Sequence, residues 1–256
     1  MTAETTIPDA AVAAVRDAEW VTVFTGAGMS AESGISTFRD ADTGLWERFD
    51  PADLATPQAW ARDPALVWGW YQWRARLVRD AEPNAGHHAL ADLASDRTVG
   101  VVTQNVDDLH ERAGSHVVSH LHGSLFAPRC SNCGTPYHGV DADPDRAVEE
   151  LRVEPPACPV CLSPVRPGVV WFGEALPERE WTRAESAVAG SDLMIVVGTS
   201  GIVYPAAALP ERAVGRGVPV IEVNPEPSAL SSTVTHRIAA PAAVGLPALL
   251  RAVRGA

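Results

Sequence analysis

The sequence predicts a doubly wound α/β fold, a parallel sheet with helices on both faces. Three observations carry that expectation. Five short, apolar, β-branched runs recur along the 256 residues: AEWVTVFTGAGMS, TVGVVTQN, SHVVSHLHGS, DLMIVVGTSG and VPVIEVNPE. Each reads as a strand buried on both faces. Helical patterns separate them, at 8–19, 86–96, 178–190, 205–216 and 245–253, and strands alternating with helices make a parallel sheet. Each run closes in small or polar residues, and in such folds ligands bind at the carboxyl ends of the strands.

Two insertions interrupt the alternation. One, at about 41–85, is helical and rich in Trp; the other, at about 125–167, is rich in Pro and Cys and has little periodicity. No repeat or low-complexity tract is present. Hydrophobic content of 46% with 20% charged residues fits a chain with a sizeable core. The net charge of −12 and a pI near 5.0 argue against a general nucleic-acid binder. Every basic side chain apart from histidine is Arg, so electrostatic contacts rely on the planar guanidinium fork. The first 20 residues lack a basic region followed by an apolar core, and no run of about 18 apolar residues spans a membrane; a cytoplasmic location is expected.

The first strand ends in GAGMSAESGISTFRD (26–40). Glycines at a strand-to-helix turn let backbone amides approach a pyrophosphate, although the third glycine, Gly34, comes too late for the G-x-G-x-x-G spacing. Ser30, Glu32, Ser33 and Arg39 suggest a loop over a ligand, with Arg39 on phosphate or in an ion pair with Asp40 or Asp42. The second strand ends in TQNVDDLH, with Gln104, Asn105 and Asp107 at the crevice, as ligand groups or as helix caps. Period two puts His120 and His122 on one face of the third strand, and His122, at its end beside Gly123, is the better general base. His110 and His116 read as helix and loop residues. Thr199, Ser200 and Asn224 close two later strands and suit ribose and phosphate groups. No Ser-His-Asp order or G-x-S-x-G elbow is present.

The four cysteines form two C-x-x-C pairs, Cys130/Cys133 and Cys158/Cys161. Two such turns complete a tetrahedral zinc site, and with four sulfurs no position stays open for chemistry. A structural zinc follows; a nucleic-acid role for such a ribbon is disfavoured by the charge.

The helical stretch VWGWYQWRARLVR (67–79) places Val67, Tyr71, Arg74 and Val78 on one stripe, with Arg76 and Arg79 toward water. An arginine on an apolar face either snorkels or meets a partner.

Taken in order, GAGMSAESGISTFR, TQNVDDLH, HGS, the paired C-x-x-C, VVWFGE, GTS and EVN resemble the sirtuin family, and within it the class III group. The resemblance implies a Rossmann-like NAD-binding domain from 1–40, 86–124 and 168–256. A small domain would join a helical part at 41–85 to a zinc ribbon at 125–167, with substrate in the cleft between the two domains. It implies NAD-dependent removal of acyl groups from lysine. The acyl oxygen attacks the ribose C1′ and nicotinamide leaves. His122 takes a proton from a ribose hydroxyl, and water completes the release of lysine and O-acyl-ADP-ribose.

Asn105 and Asp107 match positions that orient nicotinamide and water. Gly26, Ala27, Gly28, Ser30, Phe38, Arg39, Gln104, Gly198, Thr199, Ser200, Asn224, Pro225, Glu226 and Ala242 match cofactor-binding positions, Phe38 shielding the C1′ face. Val170, Trp171, Phe172, Gly173 and Glu174, with Val203 and Tyr204, match the edges between which the substrate adds as a β-strand. Tyr71 and Arg74 match the Y-x-x-R pair of members that prefer acidic acyl groups. Arg74 would grip a succinyl or malonyl carboxylate and Tyr71 would add a hydroxyl, unless Glu47 or Asp63 neutralises the arginine first. The alternatives are mono-ADP-ribosyl transfer and a non-enzymatic NAD or ADP-ribose sensor.

Overall fold

The computed structural model describes residues 5–35, 54–138 and 152–255. The expected residues Phe38, Arg39 and Glu47 lie outside the described residues.

Six strands form one parallel sheet: β1 (Trp20–Thr25), β2 (Thr98–Thr103), β3 (Val117–His120), β6 (Leu193–Val197), β7 (Val220–Val223) and β8 (His236–Ile238). Two further strands, β4 (Arg129–Cys130) and β5 (Val165–Arg166), pair antiparallel elsewhere. The large sheet runs β3-β2-β1-β6-β7-β8. With the ribbon pair left out, this is the 3-2-1-4-5-6 order of dinucleotide-binding folds. The chain steps outward from β1 to β3, then returns to pair β6 on the other side of β1. The order therefore reverses at the β1/β6 boundary, where Thr25 pairs with Val197.

The apolar runs explain why the sheet is parallel and covered. In β1 and β2 every residue after the first is buried, and all of β6 and β7 is buried. One face packs under α1 (Asp9–Asp17), α4 (Ala85–Leu93) and α8 (Ala242–Arg254), where Val21 and Val23 meet Val15, Leu90, Ile195 and Leu246. The other packs under α6 (Glu178–Gly190) and α7 (Ala208–Gly215), where Phe24 meets Val188, Val196 and Leu209. On that face Thr22 Oγ1 donates to the Ala187 carbonyl at 3.0 Å, so the polar residue of the strand is satisfied under α6.

The expected helices are present with shifted ends. The pattern at 205–216 begins only at Ala208 because a turn over 203–207 precedes it, and the pattern at 245–253 starts earlier, at Ala242. The stretch 67–79 lies inside α3 (Pro64–Asp80), which opens with Asp63 accepting from the Leu66 amide. α2 (Pro57–Arg62) precedes it, capped by Thr56. A third core cluster joins these two helices, through Leu54, Ala59, Val67, Trp70 and Tyr71, to Leu125, Val169 and Trp171. Among the described residues no helix is long and apolar enough to cross a membrane.

Candidate active site

The polar clusters that follow β1, β2, β6 and β7 meet along one edge of the sheet, astride the strand-order reversal. After β1 the chain turns through Gly26, Ala27 and Gly28. The Gly26 amide donates to the Val197 carbonyl at 3.0 Å and the Gly28 amide to the Gly198 carbonyl at 2.9 Å. A Cβ on Gly28 would stand 2.8 Å from Gly198 Cα, and one on Gly198, which has φ +59°, would stand 2.4 Å from the Gly28 carbonyl carbon. These glycines thus let two strand-end loops touch. The Gly26 and Gly28 amides are themselves engaged by the end of β6.

Next to this contact the strand ends are tied laterally. Gln104 Nε2 donates to Thr199 Oγ1 at 3.0 Å, and Asn224 Nδ2 donates to the Thr199 carbonyl at 2.9 Å, linking β2, β6 and β7. Ser200 holds the loop after β7 by accepting from the Ala229 amide. Pro225 and Glu226 are exposed on that loop, and Ala242 is buried at the start of α8.

Beneath this row lies a buried triad. Asn105 Nδ2 donates to Ser30 Oγ at 3.1 Å, and Ser30 Oγ donates to Asp107 Oδ2 at 3.0 Å. Asp107 Oδ1 also accepts from the Leu109 amide at 3.2 Å, at the start of α5 (Leu109–Arg112). Burial raises the Asp107 carboxyl, while Ser30, Leu109, Arg74 and His120 pull it back.

His122 does not sit in β3, which ends at His120; it occupies the turn that follows. Both rings nonetheless reach the same loop, as period two suggested. His122 Nδ1 lies 3.0 Å from the Gln104 carbonyl and His120 Nδ1 lies 3.2 Å from the Asn105 carbonyl. A carbonyl only accepts, so His122 carries its proton on Nδ1 and keeps Nε2 as a basic lone pair. Burial lowers His122 below the ordinary imidazole value, against the Gln104 carbonyl that raises it, so the ring is neutral and ready to take a proton.

On α3, Tyr71 is buried at 3% exposure and its oxygen accepts from Trp171 Nε1 at 3.2 Å. Burial pushes the Tyr71 hydroxyl up to about 12, so it stays a neutral donor. The Arg74 guanidinium stands 5.5 Å from the Trp70 ring centroid. Burial lowers its pKa, and the neighbouring Tyr71 and Asp107 oppose that shift. Asp63 does not neutralise it: that carboxylate caps α3 and pairs with Arg152 at 2.6 Å. Arg79 is exposed, as expected, and Arg76 is half-buried.

The segment 170–174 is anchored. The Val170 amide donates to the His122 carbonyl at 2.8 Å, and the Trp171 ring is buried. The Glu174 carboxylate takes two bonds from Arg166, at 2.6 and 2.9 Å, and one from the Trp171 amide at 2.8 Å. Phe172, Val203 and Tyr204 are exposed. Gly173 turns the chain with φ +86°.

Two groups, Arg166 and Glu222, escaped the sequence reading, and a third, His110, was placed on its helix but without its partner. Arg166 stacks on the Trp171 ring at 3.5 Å and so fixes the donor that holds Tyr71. His110 is buried in α5, its Nε2 3.1 Å from Thr25 Oγ1, which bonds Thr103 Oγ1 at 2.8 Å; Thr103 in turn accepts from the Asn105 amide at 2.9 Å. Thr25 and Thr103 end two paired strands, and that matched ending was the available signal. Glu222, 1% exposed in β7, accepts from the Ser228 and Ser231 hydroxyls and pairs with Arg237 at 3.6 Å. It braces the loop after Asn224.

The four cysteine sulfurs lie within 4.8 Å of one another. Cys130–Cys161, Cys133–Cys161 and Cys133–Cys158 stand at 3.4, 3.5 and 3.7 Å. A tetrahedral site with Zn–S of about 2.3 Å needs sulfurs about 3.8 Å apart, so the set fits one zinc ion. Each C-x-x-C turn is followed by a left-handed residue, Gly134 at φ +72° and Leu162 at φ +62°. Amides of Asn132, Cys133 and Val160 point at sulfur at 3.4 Å, which supports thiolate charge.

A family model described as the Sir2 family matches residues 26–205. An NAD-dependent protein deacylase of Mycobacterium tuberculosis (strain H37Rv) is 56% identical over 230 residues, 90% of this chain and 96% of that one. A solved Sir2 homologue in complex with NAD superposes with a TM-score of 0.87 at 41% identity, over 98% of this chain and 96% of that chain. A Sir2 protein bound to a myristoylated histone peptide gives a TM-score of 0.75 at 32% identity, over 96% and 95%.

Proposed function

The chain belongs to the Sir2 family and is an NAD-dependent protein deacylase, and from that premise we propose that it removes succinyl and malonyl groups, as well as acetyl, from lysine. The products are nicotinamide, free lysine and O-acyl-ADP-ribose. The single observation that carries the acidic preference is the Tyr71–Arg74 pair: a neutral phenol aligned by Trp171, and a guanidinium one helical turn along that feels the charge of Asp107. A guanidinium binds a carboxylate in two parallel hydrogen bonds, and the phenol adds a third donor.

The cofactor's residues fit the strand-end edge. The touching Gly26–Gly28 and Gly198 loops, with Ala27, Ser30, Gln104, Thr199, Ser200 and Asn224, offer small residues and polar groups along four strand ends, as a dinucleotide requires. Phe38, Arg39, Gly198, Pro225, Glu226 and Ala242 complete the proposed contacts. NAD supplies a ribose from which nicotinamide leaves and a hydroxyl that carries the acyl group away. Asn105 and Asp107, held by Ser30, orient the carboxamide and a water. His122 Nε2 takes the proton of the ribose hydroxyl, its ring fixed by the Gln104 carbonyl.

Protein substrates bind between Phe172 and Val203–Tyr204, whose exposed apolar side chains flank a β-strand addition by Val170, Trp171, Gly173 and Glu174. The zinc, held by Cys130, Cys133, Cys158 and Cys161, shapes the ribbon and takes no part in the reaction. We retain the division into a cofactor domain (1–40, 86–124, 168–256) and a small domain (41–85, 125–167), in the cytoplasm.

The test is product analysis. Purified protein with NAD and one peptide, succinylated or acetylated on lysine, is followed by mass spectrometry. Free-lysine peptide together with O-succinyl-ADP-ribose supports the reading. ADP-ribose attached to the peptide or to the protein, with the acyl group intact, would replace it by mono-ADP-ribosyl transfer.

A further inference from the structure

His120 is not part of the reaction just described, yet both its ring nitrogens face acceptors. Nδ1 stands 3.2 Å from the Asn105 carbonyl oxygen and Nε2 stands 2.6 Å from Glu111 Oε1. A carbonyl oxygen cannot donate. Glu111 is held below its ordinary carboxylate value: burial would raise it, and the His120 bond, the His120 charge and a backbone bond together outweigh burial. A neutral imidazole has one N–H and must turn a bare lone pair toward one of these oxygens. The doubly protonated ring satisfies both.

The contrast with His122 sharpens the point. Two residues apart, the two histidines hold consecutive carbonyls, His122 on Gln104 and His120 on Asn105. Among the described residues no carboxylate meets the other nitrogen of His122, and the ring is shifted downward. His120 has its other nitrogen on a carboxylate; burial lowers it, but Glu111, the Asn105 carbonyl and Asp107 together hold it above the ordinary imidazole value. The same residue type at the same loop thus serves as a base in one place and as a fixed cation in the other.

We propose that His120 is a positioning residue of the deacylase: as an imidazolium clamped between Glu111 and the Asn105 carbonyl, it fixes the loop that presents Asn105 and Asp107. The surroundings favour the cation. Glu111 faces it from α5 and Asp107 from the loop after β2, while His110, also on α5, is held neutral by burial and adds no opposing charge. From α6, Glu180 accepts the His120 backbone amide at 3.2 Å and is balanced by Arg183 at 3.5 Å. When the ring loses its proton one clamp opens, and the Asn105 carbonyl is left without its donor or Glu111 without its cation. Activity then falls on the alkaline side, while His122 governs the acid side.

The proposal rests on the reading of Asn105 and Asp107 as the carboxamide-orienting pair, and its test has an arm independent of turnover. The full chain, labelled with 15N-histidine, is measured by long-range proton–nitrogen NMR at pH 6.5, where a raised and a lowered imidazole part. His120 is assigned by loss of its signals in His120→Gln. Two protonated ring nitrogens on His120, with a neutral His122, are expected; a neutral His120 overturns the proposal even if the enzyme is active. In the second arm, Glu111→Gln removes the carboxylate without altering size. The alkaline limb of kcat is expected to move down by about one pH unit, with the KM for acyl peptide unchanged. His120→Gln is expected to lower kcat roughly 10- to 100-fold and abolish that limb. If His120→Gln fails to fold, Glu111→Gln and assignment by elimination remain. An unmoved limb in Glu111→Gln refutes the clamp. Absence of any deacylation with an imidazolium His120 would instead refute the reading of the reaction.

Discussion

Tyr71→Phe separates the two tasks of one hydroxyl. The substitution keeps the ring against Trp70, 4.7 Å away edge-on, and removes a single oxygen. That oxygen accepts from Trp171 Nε1 at 3.2 Å, and both residues are nearly inaccessible, at 3% and 2% exposure. The orphaned indole N–H has no route to water without repacking, so about 1–3 kcal/mol of stability is lost. For a domain of this size that corresponds to a fall in Tm of about 2–4 °C per kcal/mol. The catalytic consequence is separate. A neutral phenol donating to a succinyl carboxylate is worth about 1.5–3 kcal/mol, because hydrogen bonds to charged groups are the strong ones. Its loss lowers kcat/KM for succinyl-lysine roughly 10- to 150-fold. Acetyl-lysine has no carboxylate, so its turnover changes only through the lost stability. The assay is kcat/KM on paired peptides at 25 °C, well below either Tm, with Tm from calorimetry. Equal losses on both peptides would refute the selectivity role and leave Tyr71 as a packing residue. An unchanged Tm would refute the claim that the buried indole depends on this oxygen.

Other consequences follow from the same contacts. Gly28→Ala places a methyl 2.8 Å from Gly198 Cα, backbone against backbone, and is expected to cost about 1–3 kcal/mol and weaken NAD binding by calorimetry; unaltered binding would refute the loop contact. A chelator should release one zinc per chain, measured by atomic emission, with loss of activity and of the ribbon's near-UV signal while the far-UV signal of the large sheet persists. His87 and His110 are buried neutral, burial pushing them down to about 4 and about 3. Below the ordinary value near 6.5 the unfolded chain binds protons that the folded chain refuses. Stability is therefore complete above that value and falls as pH drops toward those of the folded state, by up to about 2.7 kcal/mol per pH unit for the pair. His120, raised in the folded state, acts in the opposite sense. Urea unfolding between pH 4 and pH 7 measures the slope, and His110→Gln should roughly halve it.

Much of this was legible in the residues because it is local. Continuous apolar runs required strands covered on both faces, and β1, β2, β6 and β7 are buried along nearly their whole length. The paired C-x-x-C turns required a four-sulfur cluster, and their sulfurs converge. What spacing could not show was pairing between distant segments. Arg166 on Trp171, Glu222 under Ser228 and Ser231, and His110 behind Thr25 are each set by tertiary packing. The glycines after β1 were recognised by type, but their contact with Gly198 could not be read, because that partner lies far along the chain. The strand that carries His120 was read two residues too long, to His122, yet period two still brought the two rings to one loop, since they settle on consecutive carbonyls.

The central claim is that this Sir2-family deacylase reads the charge of the acyl group through α3. The measurement that tests it most directly is the ratio of kcat/KM for succinyl-lysine to that for acetyl-lysine in one peptide, in the native protein and in Arg74→Met. The account requires a ratio above one that collapses by roughly 100-fold or more in the variant, the loss of a charge-assisted pair, with acetyl turnover largely kept. A ratio that does not change on removing the guanidinium would contradict it and return Tyr71 and Arg74 to the packing of the helix.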